Sequence, residues 1–248
     1  MPFILTLLDK LTEKPPFCSV VIAAAGLSTR MRGVDKLFAV VGGAPALAYT
    51  LLAFENNSSV NEIIVAAHSD KFGQISELCK QYGINKAEKI IEGGQTRTES
   101  VFNGVLAASK KARIIAIHDG ARICVDNGVI SRGIAAVSKY PAAAPGIPVS
   151  STIKRVVKGI VQETVDREDL FEIQTPQVFK AEVIKVALTK TLKETDSITD
   201  DCIAVERMGL PVHIFEGSRS NIKLTTLEDI LIAETILQTQ GNRPMVFE

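Results

Sequence analysis

The chain alternates short apolar runs with stretches of helical period, and this alternation limits its fold more than any other feature. Apolar runs fall at 18–24, 62–67, 89–91, 113–117 and 142–148. Helical patterns lie between them at 45–54 (Leu47, Leu51 and Phe54 on one side), 72–81, 98–109 and 127–138. Strands joined through helices of this length are crossover-connected, so neighbouring strands run parallel and helices cover the sheet. The expected fold is α/β: a Rossmann-like, mostly parallel sheet with helices on both faces. A chain of 248 residues, 46% hydrophobic, can bury the core of one such domain.

After residue 148 the rhythm changes. Residues 151–164 alternate around Lys158-Gly159, which predicts a β-hairpin projecting from the body as an arm. Helices are expected at 181–192, 199–208 and 227–237, with a strand at 211–215. Residues 1–16 carry a short apolar patch without a preceding basic region or a small-residue cleavage site. They read as an N-terminal extension, not as a signal peptide. No segment has the length and apolarity of a membrane span.

Twenty-eight Lys and Arg balance 28 Asp and Glu. A zero formal charge argues against a nucleic-acid coat or a polybasic membrane binder, so the expected partners include no nucleic acid and no membrane. Any anion site must be local. Cys18, Cys79, Cys124 and Cys202 form no paired motif, which suggests reduced thiols in a cytoplasmic protein and no metal ligation.

Ligands of an open parallel sheet bind at the carboxyl ends of its strands, so the residues after each apolar run carry the functional information. The first run is followed by AAAGLSTRMRGVDK, residues 23–36. Small residues let a backbone approach a ligand, and Arg30, Arg32 and Lys36 supply the charge a phosphate chain needs. A dinucleotide fingerprint would need three glycines in tight pattern, whereas this loop has Gly26 and Gly33. A solvated basic turn is the plainer alternative. The third run leads into EGGQTRTES, where Gly93-Gly94 permits a tight turn with N–H groups exposed to a base. Thr96 or Thr98 could equally be a helix N-cap there. The fourth run ends in HDGAR. Asp119 can hold a divalent metal bridging phosphate oxygens, or can simply cap a turn. His118 suits local packing, and His68 and His213 read as structural or exposed. Further polar punctuation occurs in TVDR, QTPQ, TDD and SNIKLTT. Lys154, Arg167 and Lys223, taken alone, are surface charges.

AAAGLSTRMRGVDK, GGQTRTESV, HDGAR, PVSSTIKRV, TVDR, QTPQVF, ITDD and NIKLTT occur in the order found in the 2-C-methyl-D-erythritol 4-phosphate cytidylyltransferases, and the chain resembles that family over about residues 17–240. The resemblance implies transfer of a cytidylyl group from CTP to methylerythritol phosphate, with Mg²⁺ or another divalent cation, in non-mevalonate isoprenoid precursor synthesis. It implies that Ala24, Ala25 and Gly26 line the nucleotide and that Gly94, Gln95 and Ser100 meet cytosine and ribose. Arg30 and Lys36 would hold the triphosphate and Lys223 the α-phosphate, while Asp119 would position metal and substrate. Arg122, Thr152, Arg167, Thr175 and Thr199 would surround the methylerythritol phosphate. It also implies one nucleotidyltransferase domain over 1–248, with about 150–166 as the arm of a homodimer. Thr152 and Arg167 would then serve the partner's active site.

The substrate phosphate is itself a nucleophile, so such a site needs positioning and positive charge and no activated serine or cysteine. The chain departs from the family pattern at Gln95 (often acidic), Gly120 (often Ala) and Ile123 (usually Pro). Its phosphate loop is a residue shorter than in some members, and residues 1–16 have no assigned counterpart. None of these departures removes a charged group that the mechanism needs. The alternatives are a ribitol-5-phosphate cytidylyltransferase, a nucleotide-binding regulatory protein without catalysis and, more remotely, a nicotinamide oxidoreductase.

Overall fold

A computed structural model describes residues 15–26, 35–194 and 198–241. In chain order the elements are β1 (Cys18–Ala23), β2 (Val40–Val41), β3 (Ala44–Pro45), α1 (Ala46–Glu55), β4 (Glu62–Ala67), α2 (Phe72–Gln81), β5 (Lys89–Glu92), α3 (Arg97–Ala107), β6 (Ile114–Asp119), α4 (Asn127–Ala136) and β7 (Ala142–Pro148). Then come β8 (Ile153–Val157), β9 (Ile160–Val165), β10 (Phe171–Ile173), β11 (Gln177–Lys180), α5 (Ala181–Thr191), α6 (Cys202–Glu206), β12 (Val212–Glu216) and α7 (Glu228–Thr239).

β1 lies between β4 and β6, parallel to both, and β5 extends the sheet beyond β4. Every residue of β4 and β6 is buried, as expected of strands covered on both faces. Alternate side chains feed two cores. Val20 and Ile22 pack with Leu47, Leu51, Phe54 and Ile130 on one face; Val21 packs with Val101, Val105, Ile184 and Leu188 on the other. Gly104 lets α3 lie directly on β1, since a Cβ there would meet Val21 Cγ1 at 2.3 Å.

The sheet is mixed on its other side. β11 is inserted antiparallel between β6 and β7, and β12 pairs parallel with β7. The sequence reading has QTPQ only as punctuation and contains neither β10 nor β11. Both are short, and their pairing partners lie far away in sequence. The two share β7, with Ile173 opposite Gly146 and Val178 opposite Ala143. Between them, Gln174 N–H still donates to Pro145 O at 2.8 Å, and Thr175 Oγ1 accepts from the Asp119 N–H at the end of β6.

The expected helix at 199–208 is only Cys202–Glu206. Asp200 accepts a hydrogen bond from the Ile203 N–H at 3.1 Å, so the preceding residues form its capping turn. The hairpin at 151–164 is β8 and β9. Their turn places Lys158 (φ 49°) and Gly159 (φ 81°) in the left-handed region that a two-residue hairpin turn demands. No helix among the described residues is long and apolar enough to cross a membrane. All four cysteines are free and buried.

Candidate active site

A cavity of about 310 Å³ opens at the carboxyl ends of β1, β4, β5 and β6. It is lined by Ala24, Ala25, Gly26 and Lys36 from the first loop and by Gly94, Gln95, Arg97 and Ser100 from the third. Asp119 from β6 and Lys223 from the segment before α7 complete its charged wall. The Lys36 ammonium lies 3.8 Å from where a Cβ on Gly26 would project, so the cation sits over the small-residue turn. Arg30 and Arg32 lie outside the described residues.

The Gly93-Gly94 turn differs from expectation. Its N–H groups are not exposed to a ligand, because every one is satisfied internally. Gly93 donates to Ala67 O at 2.8 Å and Gly94 to Ser100 Oγ at 2.9 Å. Gln95 and Thr96 both donate to Glu99 Oε2. Thr96 caps α3 and forms a reciprocal capping box with Glu99. Gly94 is required for this close packing, since a Cβ there would fall 2.2 Å from Glu99 Cβ. The backbone groups left to a ligand are carbonyl oxygens.

Asp119 is the electrostatic centre. Lys223 Nζ donates to its Oδ2 at 2.7 Å and Arg97 Nε to its Oδ1 at 3.1 Å. Arg122 Nε, buried and without a hydrogen-bond partner, stands 3.8 Å from Oδ2. Burial pushes the Asp119 carboxyl up, but Arg97, Lys223 and Arg122 outweigh it and hold the group well below the usual carboxylate range. Asp119 is therefore ionised at any physiological pH. It is the only acidic side chain among the described lining residues. No cluster of three or more His, Cys, Asp or Glu among the described residues is arranged to hold a metal. A divalent cation here would take one protein carboxylate and draw its remaining ligands from phosphate oxygens and water, which suits Mg²⁺.

His118 and Thr175 brace this carboxylate. Asp119 N–H donates to Thr175 Oγ1 at 3.2 Å, and Thr175 Oγ1 lies 3.0 Å from His118 Nδ1. His118 Nε2 lies 3.1 Å from Arg122 O, which fixes Nε2 as the donor and Nδ1 as the acceptor. Burial lowers the His118 pKa to about 4, so the ring is neutral. Thr175 is itself buried, and its hydroxyl is engaged inside the protein.

Outside the cavity, Arg122 donates through Nη1 to Asn221 O at 2.7 Å and joins the site through Asp119. Thr199 is exposed, two residues before the buried Asp201. Thr152 and Arg167 flank the hairpin and are exposed; Arg167 donates to Ser150 O. The structure does not bring these three to the cavity of their own chain. Two ionisable lining residues, Arg97 and His68, stand outside the expected site set, His68 having the sequence reading of a structural or exposed residue. Arg97 is hidden inside TRTES, where the capping pattern accounts for its neighbours. His68 lines the cavity after β4, with a buried Nε2 that has no hydrogen-bond partner.

The family model for 2-C-methyl-D-erythritol 4-phosphate cytidylyltransferase matches residues 18–239. The chain belongs to this family. A cytidylyltransferase of that name from Clostridium botulinum is 41% identical over 222 residues, covering 89% of this chain and 97% of its own. One from Halalkalibacterium halodurans is 42% identical over 226 residues, covering 91% and 99%. The crystal structure of the 4-diphosphocytidyl-2C-methyl-D-erythritol synthase from Anaerococcus prevotii superposes with a TM-score of 0.81 at 29% identity, covering 90% of this chain and 97% of that one. The Thermus thermophilus cytidylyltransferase gives 0.75 at 30% identity, covering 88% and 98%. The match begins at residue 18, so the extension at 1–16 lies outside it.

Proposed function

We propose that this cytidylyltransferase-family chain transfers the cytidylyl group of CTP to 2-C-methyl-D-erythritol 4-phosphate and releases pyrophosphate. The observation that carries the reading is the convergence of Lys36, Asp119 and Lys223 on one cavity beside the small-residue turn at Ala24–Gly26. A phosphate oxygen of the methylerythritol phosphate attacks the α-phosphorus of CTP. The new P–O bond forms as the bond to the β-phosphate oxygen breaks, and that oxygen leaves with the electron pair in pyrophosphate. No base is needed, because the nucleophile is already an anion.

The chain's own part is positioning and charge. Ala24, Ala25 and Gly26 let the nucleotide approach the backbone. The Gly94–Gln95 turn offers carbonyl acceptors, which suit the cytosine amino group, and Ser100 holds that turn in shape. Lys36, with Arg30 from the same loop, neutralises the triphosphate and the leaving pyrophosphate. Lys223 moves from Asp119 to the α-phosphate as charge develops there. Asp119 would hold the divalent cation, with Mg²⁺ the first choice, and the cation would supply further neutralisation of phosphate charge. Arg122, Thr175 and Thr199 belong on the acceptor side, with Thr175 acting through Asp119.

We read the chain as one domain with the hairpin as a dimerisation arm, acting in the cytoplasm. Val156, Val157, Ile160 and Val161 leave an isolated two-stranded ribbon at least half exposed at each position. An isolated ribbon of this kind is marginally stable until it packs against something. A second copy would bury it and bring Thr152 and Arg167 to the partner's site. Deleting residues 150–166 is expected to leave a monomer in sedimentation; a dimer of the deleted chain would remove the arm assignment.

The deciding experiment assays pyrophosphate release with each of the four nucleoside triphosphates against methylerythritol phosphate and ribitol 5-phosphate. CTP with methylerythritol phosphate is expected to be fastest. Faster turnover of ribitol 5-phosphate would reassign the acceptor, and CTP binding without pyrophosphate release would make the chain a nucleotide-binding regulator.

A further inference from the structure

Asp201 does not line the cavity, yet this fully buried carboxylate is tied wholly to a residue that does. Arg97 donates from Nη1 to Asp201 Oδ1 at 3.0 Å and from Nη2 to Asp201 Oδ2 at 2.9 Å, a two-pronged fork. Its remaining donor edge, Nε, reaches Asp119 Oδ1. Asp201 is anchored in turn, because its backbone N–H and that of Cys202 both donate to Gln177 Oε1, at 2.9 and 3.1 Å. Gln177 opens β11, the strand inserted beside β6. The chain of contacts therefore runs from the inserted strand through Asp201 and Arg97 to the carboxylate at the end of β6.

The two oxygens of Asp119 are held very differently. Oδ1 faces a guanidinium whose position is fixed by two further bonds. Oδ2 faces Lys223, a compact ammonium on a flexible stem that is a third exposed, and Arg122 at a longer distance. Charge follows the same division. Asp201 balances Arg97, so the Arg97–Asp201 pair is neutral as a unit and Asp119 keeps its own negative charge for a mobile cation. Without Asp201, the full charge of Arg97 would act on Asp119 and repel any cation approaching Oδ2.

We propose that Arg97, locked by Asp201, is a positioning residue that commits Asp119 Oδ1 to the protein and keeps Oδ2 as the exchangeable oxygen, shared in turn by Lys223 and a divalent cation. The proposal rests on the cytidylyltransferase reading of the site and extends it to two residues outside the expected set. A purely structural role is the competing account, but a buried ion pair seldom adds net stability, because desolvation offsets its attraction.

The test uses the full chain and measures two quantities on each variant. Mn²⁺ binding in the presence of a non-hydrolysable CTP analogue is followed by electron paramagnetic resonance, and kcat is measured with CTP and methylerythritol phosphate. Asp201→Asn leaves Arg97 unbalanced, and Mn²⁺ affinity is expected to fall about tenfold, as for one added unit charge a few ångströms away at intermediate effective dielectric. The Arg97→Gln/Asp201→Asn double variant restores the charge balance but not the grip on Oδ1. Its Mn²⁺ affinity should return to within about threefold of wild type while kcat stays at least about tenfold down. A merely structural pair would not give recovery of metal affinity without recovery of turnover. Arg97→Lys, which keeps the charge and loses the fork, serves if Asp201→Asn does not fold, and should lower kcat with Mn²⁺ affinity near wild type. The proposal is overturned if Asp201→Asn, or in its place Arg97→Lys with normal kcat, leaves both quantities within twofold, or if the double variant regains turnover together with affinity. Failure of the underlying reading looks different: wild-type protein would release no pyrophosphate from CTP and methylerythritol phosphate, whereas failure of this proposal leaves wild-type turnover intact.

Discussion

Two carboxylates at opposite ends of the sheet share the same exposure, 8%, and serve different ends. Glu62 begins β4 at the amino ends of the strands. It accepts from Ser19 Oγ at 2.5 Å, from the Ser109 N–H at 2.9 Å and from Lys89 Nζ at 2.7 Å. Lys89 also donates to Ala107 O at 2.8 Å, so every partner of Glu62 is fixed by the fold. Asp119 ends β6 at the other edge. Its carboxylate accepts from no backbone N–H among the described residues; it is surrounded by three cations, one of them flexible. Both carboxyls lie below their ordinary pKa. In each, burial works against the shift, overcome for Glu62 mainly by hydrogen bonds and for Asp119 mainly by nearby positive charge. Burial and a lowered pKa therefore do not separate a structural acid from a functional one. The difference is whether the partners are immobile and complete, or cationic, in excess and facing a cavity.

Matched isosteric substitutions test that difference most directly. Asp119→Asn should cut kcat by roughly 10²- to 10³-fold, the scale of removing one preorganised electrostatic group from an active site, while thermal unfolding shows a folded protein. A loss below about tenfold would put Asp119 in the same structural class as Glu62. Lys36→Ala should cost about 10²-fold in turnover by the same logic, applied to the leaving pyrophosphate. A near wild-type rate would remove Lys36 from the triphosphate site. Glu62→Gln should do the reverse. It leaves Lys89 with an incomplete partner and should cost about 2 kcal/mol of stability, with kcat within about twofold of wild type. If turnover falls while the melting temperature holds, the distinction between the two ends fails.

The comparison also shows which parts of the molecule the sequence could reveal. The parallel strands were legible because a strand buried on both faces writes an unbroken apolar run, as IIVAA and IIAI do in β4 and β6. The cavity wall at Ala24–Gly26, Lys36, Gly94–Gln95, Ser100 and Asp119 was legible because strand ends in such a sheet converge on one edge, whereas Lys223 reads alone as a surface charge and was marked only by the family resemblance. β11 was not, since four residues, three of them buried, carry no period to read, and their place is set by β6 and β7. The exposed N–H groups expected of Gly93-Gly94 were an inference from glycine alone. Ala67 O takes the Gly93 donor and the Ser100 side chain the Gly94 donor, while Glu99 takes those of Gln95 and Thr96. Arg97 has two carboxylate partners, 22 and 104 residues away, and no local pattern marks an arginine for such contacts.

Acid offers the finest test, because His118 lies at the Asp119 end and no titrating imidazole stands beside Glu62. The ring is buried with Nδ1 near Thr175 Oγ1 and Nε2 near Arg122 O, and burial lowers its pKa to about 4. An imidazole in the unfolded chain titrates near 6.5. Between these values the unfolded chain binds a proton that the folded chain refuses, so folding stability rises with pH across the window. The contribution is complete above about pH 6.5 and is lost as pH falls toward 4. From pH 6.5 to 5.5 the loss should be about 1 kcal/mol. Asp119 adds nothing there, because its folded and unfolded pKa values both lie below the window. Urea unfolding of wild type and His118→Gln at both pH values isolates this contribution, since the remaining groups cancel in the difference. His118→Gln should flatten the dependence by about that amount. Equal slopes would mean that His118 accepts a proton in the folded protein, and that the brace behind Asp119 opens without cost to the fold.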